Sequence, residues 1–276
     1  MNKVWYITGA SKGLGLALVK FLLNNGQRVA ATSRNKEQLI ANAGLFDNSN
    51  FLALRVDLSK EEEIAASIDQ AKQYFGSIDV VVNNAGYGIG GSLEELSIRE
   101  INESVNVNLM ATAWVIHYAL PHLRQQRSGH IINISSIAGF AGTTGWSMYA
   151  ASKFAVIGLT EGLAQDVHEL GIKVTAIAPG AFRTDFLTSD SLMIAEKKIE
   201  EYKAVHANIE KYDGMNGKQI GSPEKAAQLM FDLVKMPEPP VVLFIGSDAY
   251  KRAAQKIGTL KDNLEKYKAL SLSTDY

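Results

Sequence analysis

The chain has 276 residues, is 46% hydrophobic and carries a formal net charge of -1. That length holds one large α/β domain or two small ones, and the apolar fraction is ordinary for a full-sized core. With near-neutral charge and no basic block, nucleic acid is excluded as the main partner. The absence of cysteine excludes disulfides and thiolate metal sites and points to a reducing compartment.

Met1-Asn2-Lys3 leads straight into Val4-Trp5-Tyr6-Ile7, which ends at Thr8-Gly9. That run is too short for a signal peptide or a membrane span, and no later apolar stretch is long enough to cross a bilayer. The expectation is a soluble cytoplasmic protein without a membrane partner. Strands are predicted at 3–8, 28–33, 51–56, 80–83, 130–135, 173–178 and 241–245. Several lack polar alternation, the pattern of strands buried on both faces. Helix starts lie between them. Ser59 precedes Glu62 by three residues and Ser97 precedes Glu100 likewise, two capping-box patterns, and Ser222-Pro223 sets a cap before a first-turn proline. The alternation predicts a doubly wound parallel sheet of about seven strands with helices on both faces. No linker divides the chain, so one domain over 1–276 is expected. Residues 186–221 form a long, mostly polar insertion between two strands, on the side where doubly wound folds bind ligands. The insertion is expected to be a substrate lid, mobile without ligand because it has little core to bury.

Thr8-Gly9-Ala10-Ser11-Lys12-Gly13-Leu14-Gly15 joins the first strand to a helix predicted to run to about Asn25. Glycines allow a tight turn and close approach to a phosphate, while the helix start offers free N–H groups and a positive dipole end. The position after a strand and before a helix favours a dinucleotide cradle over a turn that merely needs small residues. Further segments follow in order: Asn83-Asn84-Ala85-Gly86, Val107-Asn108-Leu109, Ser135-Ser136, Tyr149-Ala150-Ala151-Ser152-Lys153, Pro179-Gly180 and Thr184. In these motifs and their order the chain resembles the short-chain dehydrogenase/reductase family, in its shorter, hydroxysteroid- and retinol-dehydrogenase-like branch. The resemblance spans roughly the whole chain and implies a single-domain Rossmann fold. It assigns cofactor contacts to Gly9, to Ser11 through Gly15, to Asn84-Ala85-Gly86, to Pro179-Gly180 and Thr184, and to Tyr149 and Lys153. Asp57-Leu58 resembles the family's adenine contact; alternatively, Asp57 caps the helix beginning near Ser59.

NAD-binding Rossmann proteins usually place an acid after the second strand. Here the region reads Ala31-Thr32-Ser33-Arg34-Asn35. Arg34 can meet a 2′-phosphate as a planar fork, and Ser33 can donate to it. Lys12 adds a cation within the turn, where the family's NADP-preferring members often carry one. NADP(H) is therefore expected, against the reading of two solvated surface charges.

Tyr149 and Lys153 are four apart, on one helix face. A tyrosine titrates near pH ~10, and a nearby ammonium lowers that value. The resemblance gives Ser136 a bond to the substrate oxygen, gives Asn108 a water linking Lys153 to solvent, and lets Lys153 hold the ribose. Strand alternation turns Ser135 to the other face. These readings imply an NADP(H)-dependent oxidoreductase. Hydride moves between the nicotinamide and a carbonyl or secondary-alcohol carbon, with Tyr149 as general acid/base. Two alternatives stay open: a redox-inactive NADP(H)-binding sensor or scaffold, and a dehydratase or epimerase on the same scaffold. Tyr87, Phe140, Trp146, Phe182 and Phe186 either line an apolar pocket or serve as core and interface aromatics. The segment Gly246-Ser247-Asp248-Ala249 resembles members acting on bulky apolar ketones or alcohols. By the same resemblance a homodimer or homotetramer is expected, paired through helices near 98–126 and 147–170. None of the five histidines has a metal-ligand spacing.

Overall fold

A computed structural model describes residues 2–44 and 48–276. Its strands are β1 (Val4–Ile7), β2 (Arg28–Ser33), β3 (Phe51–Arg55), β4 (Val80–Asn83), β5 (Gly88–Gly90), β6 (Gly129–Ile134), β7 (Ile172–Pro179), β8 (Leu192–Ile194) and β9 (Val242–Ile245). Seven pair in parallel in the order β3-β2-β1-β4-β6-β7-β9. The predicted seven-stranded sheet is thus observed. Its winding reverses between β1 and β4, the switch point at which such sheets open a crevice.

The helices are α1 (Gly13–Asn24), α2 (Lys36–Ala43), α3 (Glu61–Phe75), α4 (Ile98–Val105), α5 (Ala111–Gln126), α6 (Ser147–Asp166), α7 (Lys203–Asp213), α8 (Pro223–Leu233), α9 (Ser247–Lys266) and α10 (Lys268–Leu272). Among the described residues, no helix is long and apolar enough to cross a membrane.

β1 explains why its neighbours lack polar alternation. Trp5 and Ile7 pack on one face with Leu18, Leu22 and Met230, while Tyr6 packs on the other with Ile64, Ile68 and Val81. Each such side chain, fully buried, contributes about 1.5–3 kcal/mol of transfer free energy. Several polar groups inside the sheet find partners, while Trp5 Nε1, Thr32 Oγ1, Asn83 Oδ1 and His130 Nδ1 have none among the described residues. The Tyr6 hydroxyl meets Ser67 Oγ at 2.6 Å. Burial holds the His130 imidazole neutral, its pKa down at about 3, with Nε2 3.0 Å from Thr175 Oγ1. Asn83 Nδ2 donates to Asn133 Oδ1 at 2.8 Å, and Asn133 Nδ2 donates to Thr160 Oγ1 at 2.9 Å. This buried ladder ties β4 and β6 to α6.

Local signals resolve unevenly. Ser97 and Glu100 form the expected capping box, and Ser222 caps α8 through the Lys225 N–H. The Ser59–Glu62 box does not form. Asp57 Oδ1 takes both the N–H and the hydroxyl of Ser59, Glu63 turns back to the Asp57 N–H, and α3 begins at Glu61. A carboxylate two residues upstream captures the hydroxyl that would have capped the helix. The helix expected over 98–126 is interrupted by a π-turn at Asn106–Met110, where the Ala111 N–H reaches the Asn106 carbonyl. The helix expected to reach Leu170 stops at Asp166 and continues as a 3₁₀ turn, His168–Leu170.

The insertion also differs from its expected character. β8 pairs in parallel with β5, and Leu187, Ala195 and Val205 are buried. Several of its apolar residues turn inward, so the premise that it has little core does not hold.

Candidate active site

The glycine turn sits over the switch point and is held there by β4. Thr8 Oγ1 accepts from the N–H groups of Asn84 (3.0 Å) and Ala85 (3.1 Å). Asn84 Nδ2 donates back to the carbonyls of Thr8 (3.0 Å) and Gly9 (2.9 Å). Gly9 has φ +62°, and a Cβ there would lie 2.7 Å from Ala85 Cα. A Cβ at Gly15 would lie 2.5 Å from Asn84 Nδ2. These two glycines therefore serve packing between two motifs as well as the turn itself.

Lys12 precedes α1 in extended conformation, and no side chain caps the helix. Its first N–H groups are left for an anion. Ser11 is tied to α2 through its carbonyl and Asn42 Nδ2, 2.9 Å away. Thr184 lies 3.6 Å from where a Gly13 Cβ would stand. Arg34 is exposed at the end of β2, and no ion pair engages it among the described residues. The buried Ser33 hydroxyl accepts from Asn35 N–H. Lys12 Nζ instead donates to the Asp190 carbonyl of the insertion at 3.2 Å. Asp57 closes its own turn; the Ser59 hydroxyl, then the Ser59 N–H, hold its carboxyl below the usual range. Leu58 packs against the core beneath it.

The second cluster lies on α6 and beside it. Tyr149 and Lys153 are both buried. Lys153 Nζ donates to the Ile134 carbonyl at 2.9 Å. A Cβ on Gly86 would stand 3.2 Å from that ammonium and 2.9 Å from Asn108 Oδ1. Gly86 thus lets the end of the β4 motif approach both side chains. Asn108, inside the π-turn, accepts from Tyr87 N–H (2.9 Å) and donates to the Tyr87 carbonyl (3.0 Å). Ser135 is structural: its hydroxyl donates to the Lys153 carbonyl at 2.8 Å. Ser136 begins the next turn, and its Oγ accepts from Ala138 N–H.

Burial pushes the Tyr149 phenol up to about 12, and the Ser136 hydroxyl opposes that rise. Burial pulls Lys153 down to about 8. The ammonium stands 6.0 Å from the Tyr149 ring centroid. Burial therefore sets the direction of the shift, and the lowering expected from the lysine is not seen.

Trp146 and Phe186 flank Tyr149, with ring centroids at 5.9 Å and 5.7 Å. Phe140 instead meets Phe244, Phe182 packs against the Gly221 corner, and Tyr87 contacts Asn108 only through its backbone groups. Sequence reading gave no such role to three contributors. Tyr212 packs on Trp146 at 5.1 Å, and Glu95 binds the insertion. Asp248 accepts from Ala181 N–H at 2.7 Å and lies directly over Gly180, fixing the Pro179-Gly180 corner. Its place in the first turn of α9 was the available signal.

The family model for short chain dehydrogenases matches residues 3–194. The chain is 37% identical over 275 residues to oxidoreductase BOA17 of Botryotinia fuckeliana, covering 99% of this chain and 100% of that protein. A short-chain dehydrogenase from Streptomyces avermitilis superposes with a TM-score of 0.91 at 30% identity, covering 100% of both chains. The structure of ElxO with NADP bound superposes with a TM-score of 0.74 at 29% identity, covering 91% of this chain and 100% of that one. With its glycine turn locked to the Asn84-Ala85 segment and the Tyr149–Lys153 helix beside them, this chain belongs to the short-chain dehydrogenase family and is one of its oxidoreductases.

Proposed function

We propose that the protein is an NADP(H)-dependent carbonyl reductase or alcohol dehydrogenase with Tyr149 as its general acid/base. The observation that carries this reading is the contact at Gly86. It brings the glycine cradle's partner segment against Lys153 and Asn108, one helical turn from Tyr149. The residues fit a nicotinamide dinucleotide. The uncapped start of α1 suits a pyrophosphate, and the glycines leave room for its approach. Arg34, Ser33 and Lys12 suit a 2′-phosphate, with no acid at the end of β2 to repel it. Lys153 would hold ribose hydroxyls, and Thr184 with Pro179-Gly180 would meet the nicotinamide side.

When bound, NADPH would supply the hydride for a carbonyl carbon, and NADP⁺ would accept one from a secondary-alcohol carbon. Tyr149, protonated across the neutral range, gives its proton to the substrate oxygen in reduction and takes it back in oxidation. Ser136 donates a hydrogen bond to that oxygen as charge develops. The Lys153 ammonium stabilises the phenolate left behind, and Asn108 holds the water through which the proton returns. The aromatic wall of Trp146, Phe186 and Tyr212 favours a bulky apolar substrate. Residues 186–221 cover it. The working form is a cytoplasmic homodimer or homotetramer.

The test is a panel of ketones, aldehydes and secondary alcohols, followed by cofactor absorbance with NADPH and NADH. Reduction of an apolar ketone with NADPH preferred is expected. Charged hydrogen bonds contribute about 1.5–3 kcal/mol, so removing Lys12 and Arg34 together should weaken NADPH at least roughly tenfold more than NADH. Equal parent affinity for both cofactors overturns the NADP assignment. Binding without turnover on any substrate leaves a cofactor-binding protein instead.

A further inference from the structure

Glu95 follows β5 in a short loop, and its side chain is 1% exposed. A buried carboxylate is costly unless its lone pairs are filled. Here they are filled chiefly by the insertion. Oε1 accepts from Ile199 N–H at 2.8 Å and from His206 Nε2 at 2.6 Å, partners 104 and 111 residues away. Oε2 accepts from Ser92 N–H at 2.9 Å, and Ser92 Oγ accepts from Glu95 N–H at 3.3 Å. Burial alone would raise this carboxyl, but the bonds from Ile199, His206 and Ser92 win and hold it at about 2. The neighbouring Glu94 accepts from the Tyr202 hydroxyl at 2.9 Å. One carboxylate therefore joins the loop before α7 to the first turn of α7. The next residue, Leu96, packs with Ala195 in the cluster that contains Trp146 and Tyr149.

Other ties in this region are of another kind. They include the three-residue β5–β8 ladder, the Ala195 N–H to Gly90 carbonyl bond at 2.8 Å, an exposed bond from Asn208 Nδ2 to the Thr144 carbonyl, and the packing of Tyr212 on Trp146. Glu95 is a buried side chain that joins the two segments by hydrogen bonds, to Ile199 and His206.

We propose that Glu95 is a positioning residue, a latch that holds residues 195–206 over the Tyr149 pocket and so sets the grip on the carbonyl substrate while leaving the grip on cofactor unchanged. The proposal rests on the reading of the insertion as the substrate's cover.

The first test needs no substrate. In the full-length unliganded protein, Glu95→Gln should raise amide exchange across 195–206 at least tenfold and leave β6 and β7 protected. His206→Ala should move the same amides by a smaller factor, and His206→Gln, which keeps a donor toward Glu95, should restore them. The second test uses the ketone that the parent reduces fastest in the panel above. Glu95→Gln should raise its KM at least tenfold, change kcat less than threefold and leave the NADPH Kd within twofold. Unchanged exchange at 195–206 in both Glu95→Gln and His206→Ala, or equal loss throughout the sheet, overturns the latch. Should Glu95→Gln fail to fold, the two His206 variants decide by the same criteria. Loosened amides with an unchanged KM refute the insertion as a cover and the positioning role with it. A parent that turns over no ketone, aldehyde or alcohol in the panel refutes the proposed carbonyl and alcohol chemistry alone, since the exchange pattern still decides the latch.

Discussion

The cradle and the insertion face the same crevice but are built by different means. The cradle is packed tight, backbone against backbone at Gly9 and against the Asn84 side chain at Gly15. Gly9 and Gly15 admit no side chain, and Thr8 and Asn84 exchange hydrogen bonds across β1 and β4. The insertion reaches the body through a three-residue ladder, scattered apolar contacts and the carboxylate of Glu95. The first kind of construction leaves no freedom, which suits a ligand of fixed shape. The second hangs on a few side chains, each replaceable without rebuilding the sheet. A scaffold made this way can change its substrate while keeping its cofactor.

The sharpest way to separate the two regions is to remove chemistry without removing structure. Tyr149→Phe keeps the ring that packs on Trp146 and Phe186. Turnover should fall by about 10²–10⁴-fold while NADPH affinity and the unfolding midpoint stay near those of the parent. Ser136→Ala should also lose turnover with cofactor affinity intact, whereas Lys153→Met should lose both. Steady-state kinetics beside NADPH titration checks all three; near-normal turnover in Tyr149→Phe would end the mechanism.

Breaking the cradle should have the opposite signature. Gly9→Ala combines a left-handed φ with a methyl 2.7 Å from Ala85 Cα. It should cost about 1–3 kcal/mol in urea unfolding and should weaken NADPH and NADH together. Loss of one cofactor alone would contradict the packing role given to Gly9.

A smaller effect concerns stability and pH. Lys153 titrates at about 8 in the fold, below its ordinary value of about 10.5, so the folded state disfavours its charge. That cost is fully present below pH ~8 and is relieved as pH rises toward ~10.5. Lys153→Met should therefore melt higher than the parent near neutrality, by about 2–4 °C for each kcal/mol, and the gap should close above pH ~8. Thermal melts of both proteins from pH 6 to 10 give the comparison. A gap that widens with pH would reverse the assignment.

What was legible in the sequence follows the same division. The seven main strands were readable because most are runs of buried residues and all are short segments bounded by turn signals, and the motif segments because each is short and contiguous. The π-turn at Asn108 was not. Val107-Asn108-Leu109 has ordinary helical composition, and the widened turn is seen only once Asn108 is bound to the Tyr87 backbone. β5 was invisible because Gly88-Ile89-Gly90 holds one apolar residue, and its ladder partner lies about a hundred residues on. Glu95 read as one more acid in Leu93-Glu94-Glu95-Leu96, since nothing local distinguishes a carboxylate that will be buried from one that will be solvated. Ser59 misled for the reverse reason: a valid local pattern lost to a better acceptor two residues away.

The strand order also sets a timetable for synthesis on the ribosome. β1, β2 and β3 emerge first and can pair, yet one side of β1 waits for β4 at Val80–Asn83. Until then Val4-Trp5-Tyr6-Ile7, wholly buried in the finished protein, presents an open parallel edge with no charge to blunt it. A nascent chain stalled between residues 56 and 80 is thus the form most exposed to aggregation, and a chaperone that holds β1 during that interval protects the fold when it is most open to misassembly.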